Sequence, residues 1–124
     1  MARILVVDDD ATNLKLAVTV LERAGHEVLG ALSGAEGVEI AFTRAPELVL
    51  MDVQMPGMDG LAALRLLRAD PRTATLKVAA LTALAMSGDA ERLIKEGFDA
   101  YLEKPIRYRE FLATVAALLS EAVT

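Results

Sequence analysis

The chain has 124 residues, no cysteine and a formal net charge of −5, which points to one domain able to bury roughly 65–70% of its unfolded surface. It excludes a disulfide framework and thiol redox chemistry, and with acids and bases interspersed it argues against a nucleic-acid-binding surface, which needs a basic patch. The longest charge-free stretch, Val78 to Gly88, is far short of a membrane span, and Met1-Ala2-Arg3 runs straight into an apolar segment with no room for a signal peptide, so the expectation is a soluble cytoplasmic domain.

Residues 3–8 read as a first strand, in which Ile4-Leu5-Val6-Val7 is followed by three acids, Asp8-Asp9-Asp10. Asn13 to Ala24 reads as a helix with Leu14, Ala17, Val18 and Leu21 on one stripe and Gly25 as its stop. Glu27 to Ala31 is a weaker strand. Ser33 with Glu36 three residues on has capping-box spacing and opens a helix running to about Arg44. Leu48-Val49-Leu50-Met51 is an apolar run bounded by turn-formers, the pattern of a strand buried on both faces. Asp52 closes it. A helix from Gly60 to Ala69 is ended by Asp70-Pro71, with Asp59 as its N-cap. Val78 to Leu81 is a fourth strand ending in Thr82. Asp89 to Glu96 is a helix closed by Gly97, Asp99 to Leu102 is a fifth strand leading to Lys104-Pro105, and the last helix spans about Tyr108 to Ala122.

Strict alternation of strand and helix means an α/β fold. Parallel strands need crossovers, those crossovers are right-handed, and helices then cover both faces of the sheet. A five-stranded flavodoxin-like (βα)5 arrangement in the order 2-1-3-4-5 makes strands 1 and 3 neighbours at the switch point, where ligands of open α/β sheets bind. The acids ending those two strands then share one rim. Two like charges about 4 Å apart repel by roughly 4 kcal/mol at an effective dielectric of 20. A cluster of Asp8, Asp9 and Asp52 is therefore strained when empty, with a raised pKa, and suits a hard oxygen-liganded cation, Mg²⁺ or Mn²⁺. Lys104 and Thr82 add a point charge and a hydroxyl for phosphoryl oxygens. Asp10 reads better as a helix cap than as a ligand. His26 reads as an exposed loop residue, and Met51, Met55 and Met58 as packing.

Four segments together resemble the receiver domains of two-component response regulators over nearly the whole chain. They are Ile4-Leu5-Val6-Val7-Asp8-Asp9, Leu50 to Gly60 with Asp52-Val53-Gln54-Met55-Pro56-Gly57 inside it, Ala80-Leu81-Thr82-Ala83, and Ala100-Tyr101-Leu102-Glu103-Lys104-Pro105-Ile106. The stretch from Thr82 to Asp89, with Glu91-Arg92 and Gly97, is similar to DivK-type single-domain regulators and to the receivers of hybrid kinases. The resemblance implies that Asp52 is the phosphoacceptor and that Asp8, Asp9, Asp52 and the backbone carbonyl of Gln54 hold Mg²⁺. It also implies that Thr82 and Lys104 contact the phosphoryl group, that Tyr101 follows Thr82 in a switch, and that Lys104-Pro105 is a cis peptide. Gln54 and Leu84 would flank the attacking water and tune dephosphorylation.

The function so implied is that of a signalling domain rather than an enzyme in the ordinary sense. A histidine kinase or histidine phosphotransfer protein would donate the phosphoryl group, docking on the first helix near Asn13 and Lys15. A downstream protein would read the face made by the fourth helix, fifth strand and fifth helix. Residues 1–124 would be one receiver domain without an output domain, and no nucleic acid or membrane partner is expected. Two rivals are weaker. Asp8, Asp10 and Thr12 fit the D-x-D-x-T pattern of haloacid-dehalogenase-type phosphatases, but those need a late acidic pair where this chain has Glu103-Lys104-Pro105. A flavin carrier needs a hydroxyl- and glycine-rich loop after the first strand, where Asp8-Asp9-Asp10 would repel a phosphate.

Overall fold

A computed structural model describes residues 2–83 and 89–121. Ten elements alternate: β1 (Arg3–Val7), α1 (Ala11–Arg23), β2 (Glu27–Ala31), α2 (Gly34–Arg44), β3 (Leu48–Asp52), α3 (Gly60–Ala69), β4 (Lys77–Thr82), α4 (Asp89–Glu96), β5 (Ala100–Glu103) and α5 (Tyr108–Glu121). The five strands form one parallel sheet in the order β2-β1-β3-β4-β5, the flavodoxin-like arrangement expected from the alternation. Among the described residues, no helix is long and apolar enough to cross a membrane.

The sheet separates two apolar layers, and the period of 2 along each strand decides which side chain enters which layer. Leu5, Val7, Val49, Met51, Val78 and Ala80 face one layer with Val38 of α2, Leu64 and Leu67 of α3 and Leu93 of α4. Ile4, Val6, Leu48, Leu50, Ala79 and Leu81 face the other, with Ala17, Val20 and Leu21 of α1 and Phe111, Val115 and Leu118 of α5. Central strands β1 and β3 are thus covered on both faces, which is why their sequences are unbroken runs of large apolar residues.

Local chemistry sets the helix ends. Asp10 caps α1 by accepting from the amides of Thr12 and Asn13, so the helix begins at Ala11, two residues before the start read from periodicity. Ser33 Oγ accepts from the Glu36 amide as the capping box requires, but the Glu36 carboxylate reaches past the cap to the Leu32 amide at 2.8 Å. Asp59 caps α3 through the Ala62 amide. The last helix is described to Glu121; its expected end at Ala122 lies outside the described residues.

Candidate functional site

Strand register assembles the site. Val7 pairs with Met51, so the residues that follow, Asp8 and Asp52, stand side by side at the carboxyl end of the sheet. Asp52 pairs with Leu81, which puts Thr82 one step beyond it on β4. Thr82 pairs with Glu103, and the Lys104 amide donates to the Thr82 carbonyl at 2.8 Å, bringing Lys104 to the same rim. Asp8, Asp52 and Thr82 are buried, at 2%, 5% and 3% exposure, whereas Asp9 is exposed.

The three acids are close enough to act together: one carboxylate oxygen from each of Asp8, Asp9 and Asp52 lies within 4.8 Å of the others. Octahedral Mg²⁺ ligands at ~2.1 Å stand about 3 Å apart in cis and about 4.2 Å in trans. Three hard oxygens on a partly buried rim therefore fit such a cation with only a small inward adjustment. Mg²⁺ keeps several waters, so three carboxylates and a backbone carbonyl suffice as the protein's share.

Lys104 is the local countercharge. Its Nζ lies 2.9 Å from Asp8 Oδ2 and 3.2 Å from Asp52 Oδ2, an arrangement that spacing alone does not predict. Asp8 Oδ1 also accepts from the Asp10 amide at 2.9 Å, and Asp52 Oδ1 from the Gln54 amide at 3.2 Å. Burial is the largest influence on Asp52 and raises its pKa to about 6; the Lys104 ammonium pulls the other way and offsets only part of it, while the charge of Asp8 adds to the rise. Burial draws Lys104 down, but its hydrogen bond to Asp8 and the charges of Asp52 and Asp8 carry it above the usual lysine value. The Asp52 carboxylate is thus held in a site that tolerates its charge poorly and gains from added cations.

The remaining candidates are distributed around this centre. The Gln54 side chain is exposed, leaving its backbone as the part turned to the site. Tyr101 is 42% exposed on β5, and the Lys104–Pro105 peptide is cis. With Ile94 of α4 and Tyr108 of α5, Tyr101 gives the α4-β5-α5 side three large apolar residues open to solvent. Asn13 and the exposed Leu16 of α1 line a cleft with Ala83, Lys104, Pro105 and Ile106. Leu84 lies outside the described residues. His26 is half-buried rather than exposed, its Nδ1 3.4 Å from the Ala2 amide, because the turn after Gly25 folds it back on the chain start. Met51 and Met55 are core residues, and Met58 packs against the same layer.

Periodicity overlooks one polar hub. Arg68 of α3 donates to the carbonyls of Ala74, Leu76 (2.6 Å) and Gly97 (2.9 Å) and to Asp99 Oδ2 (3.0 Å). Asp99 in turn accepts from the Val78 amide at 2.8 Å. The guanidinium thereby ties the end of α3 to the entries of β4 and β5. A helical arginine reads as a solvated charge in sequence, and only its place near the helix end, ahead of Asp70-Pro71, hints at carbonyl capping.

Residues 4–116 match the family model of the response regulator receiver domain. The polar-differentiation response regulator DivK of Brucella ovis is 36% identical over 119 residues, 96% of this chain and 97% of its own length. The receiver domain of sensor histidine kinase PA1611 from Pseudomonas aeruginosa, solved with magnesium coordinated in its active-site cleft, superposes with a TM-score of 0.88 at 29% identity, covering 96% and 98% of the two chains. Chemotaxis protein CheY4 of Vibrio cholerae superposes with a TM-score of 0.89 at 25% identity, covering 95% and 98%.

Proposed function

The chain belongs to the receiver-domain family of response regulators, and from that membership we propose that Asp52 takes a phosphoryl group from a phosphohistidine on a histidine kinase or histidine phosphotransfer protein. One observation carries the reading: Asp8, Asp9 and Asp52 converge within 4.8 Å while Lys104 bridges two of them. An Asp52 oxygen attacks phosphorus in line as the phosphorus–nitrogen bond to imidazole breaks, and the chain's task is positioning rather than covalent chemistry. Asp8, Asp9, Asp52 and the Gln54 carbonyl would hold Mg²⁺, or Mn²⁺ in its place, and the bound cation would neutralise carboxylate and phosphoryl oxygens. Lys104 pairs with a phosphoryl oxygen as a point charge, and the Thr82 hydroxyl donates to another.

The phosphorylated state is read as a shifted population of surfaces. Thr82 moves toward the phosphoryl group, Tyr101 follows from its half-exposed position, and the α4-β5-α5 face is presented differently to a downstream protein. The apolar triad Ile94, Tyr101 and Tyr108 supports that choice of face. The cleft of Asn13, Leu16 and Pro105 beside Lys104 supports docking of the phosphodonor there, on the helix that also carries Lys15. Gln54, and Leu84 outside the described residues, would tune the phosphoryl lifetime. The domain acts in the cytoplasm as a signalling unit that catalyses only its own phosphorylation and dephosphorylation.

The test is intact mass after incubation with acetyl phosphate and Mg²⁺, wild type beside Asp52→Asn. One labile phosphoryl adduct on wild type and none on the variant is the expected result. No adduct from any donor would make the chain a receiver that works without phosphorylation.

A further inference from the structure

We propose that Arg92 selects among phosphodonors by the charge of the leaving group, favouring small acyl phosphates whose leaving group departs as a carboxylate. The inference rests on Asp52 being the phosphoacceptor. A cleft of about 230 Å³ adjoins Asp52 on the α3–α4 side of the sheet, walled by Val53, Gln54, Leu61, Thr82, Arg92 and Leu93. Lys104 does not line it. That residue approaches the acids from β5 and borders instead the clefts beside α1 and α5. A phosphoryl group on Asp52 thus sits between the Lys104 ammonium and the mouth formed by Gln54 and Thr82.

Charge counting shows what the cleft offers. Asp8, Asp9 and Asp52 carry three negative charges, and Lys104 with a divalent cation returns three positive ones, so the loaded centre is neutral towards a dianionic donor. Arg92 makes no hydrogen bond or ion pair with any described residue, which leaves its guanidinium uncommitted. The acid on the same wall, Asp59, turns Oδ1 to the Ala62 amide as the cap of α3. A group leaving in line, away from Asp52, would pass Gln54 and Thr82 into a space whose described walls are the apolar Val53, Leu61 and Leu93 together with the Arg92 cation and the amide-bonded Asp59 carboxylate. Acetate suits it: one methyl for Val53, Leu61 and Leu93, one carboxylate for Arg92.

Two donors separate this from general electrostatics. With acetyl phosphate, an Asp52 oxygen forms the new bond to phosphorus, the bond from phosphorus to the acyl oxygen breaks, and acetate leaves with the electron pair and one negative charge. With phosphoramidate, present as the zwitterion, the phosphorus–nitrogen bond breaks and neutral ammonia leaves. A unit charge on the wall of a solvent-open cleft beside the leaving group, screened by salt, changes the rate about fivefold.

The experiment follows adduct formation on the full chain with Mg²⁺ by intact mass, for wild type, Arg92→Gln and Arg92→Lys with each donor. Arg92→Gln should slow acetyl phosphate about fivefold and phosphoramidate by less than about twofold, and Arg92→Lys should restore most of the difference. Acetate, the leaving group itself, titrated by NMR, should bind Arg92→Gln more weakly by a similar factor. Equal slowing with both donors, or none with acetyl phosphate, overturns the proposal. If neither donor labels wild-type Asp52, the phosphoacceptor reading fails first, and unchanged acetate binding would then dispose of Arg92's part separately.

Discussion

Replacing Asp52 by Asn should make the metal-free protein more stable at neutral pH. Asn approximates the protonated acid in shape and polarity, so the variant removes the charge that the site disfavours. Burial holds the native pKa near 6 against 3.8 for an unperturbed aspartate. For an acid with a raised native pKa, the native state binds the proton more tightly than the unfolded chain. Stability is therefore fully present below about pH 4 and is lost as pH rises through about 6. At pH 7 the loss is about 3 kcal/mol, from the gap between 3.8 and about 6 at 1.36 kcal/mol for each tenfold change in proton affinity. In a domain of this size that corresponds to roughly 10 °C in Tm. Thermal and urea unfolding in EDTA, wild type beside Asp52→Asn, should show this gap at pH 7 and about half of it near pH 5. Mg²⁺ should then stabilise wild type more than the variant and narrow the gap. An unchanged or lower Tm for the variant at pH 7 would refute the crowded-acid site, because Lys104 would then be neutralising Asp52 completely.

Three further substitutions probe the surroundings. Lys104→Ala removes both ion pairs, so Mg²⁺ affinity should stay intact or rise while phosphorylation no longer reaches the α4-β5-α5 surface; a calorimetric titration showing sharply weaker Mg²⁺ binding would make Lys104 structural instead. Arg68→Ala strips partners from three carbonyls and Asp99 and should cost about 2–4 kcal/mol in urea denaturation. A change within error would show that water replaces the guanidinium at no cost. Gly60→Ala would drive a Cβ into the Asp52 carbonyl oxygen, with Val53 Cα at 2.8 Å, so it should weaken Mg²⁺ binding more than about tenfold as well as lower Tm. Unchanged affinity would mean that the loop after β3 shifts without moving the ligands.

Most of the fold could be read because the central strands carry the clearest pattern a sequence offers. Four consecutive large apolar residues ending in an acid leave little choice for Leu48–Asp52, and the same holds for Arg3–Val7. Boundaries moved where a side chain, not periodicity, sets the end. Asp10 extends α1 backward to Ala11, and β5 starts at Ala100 because Asp99 is occupied with Val78 and Arg68. Ala45 ends α2 with φ 46°, a conformation that no glycine announced. Within the site, the acids could be placed from the strand order alone. The double pairing of Lys104 could not, since it depends on how a residue after β5 reaches across two strands. The Arg68 hub was hidden for a similar reason: its partners lie 6 to 31 residues away and three are backbone carbonyls, which carry no sequence signature.

The double covering of β1 and β3 has a consequence for how quickly the site works. Strands sealed on both faces open only with the whole molecule, so their amides should be among the slowest to exchange with deuterated water. Asp8 and Asp52 are rooted in those slow strands, while Asp9 stands at the solvent edge. An arriving ion meets two fixed carboxylates and one that can swing to it, without waiting for any element to fold. Its association rate should then be governed by the cation's own loss of water, and should hardly change with mutations that destabilise the domain.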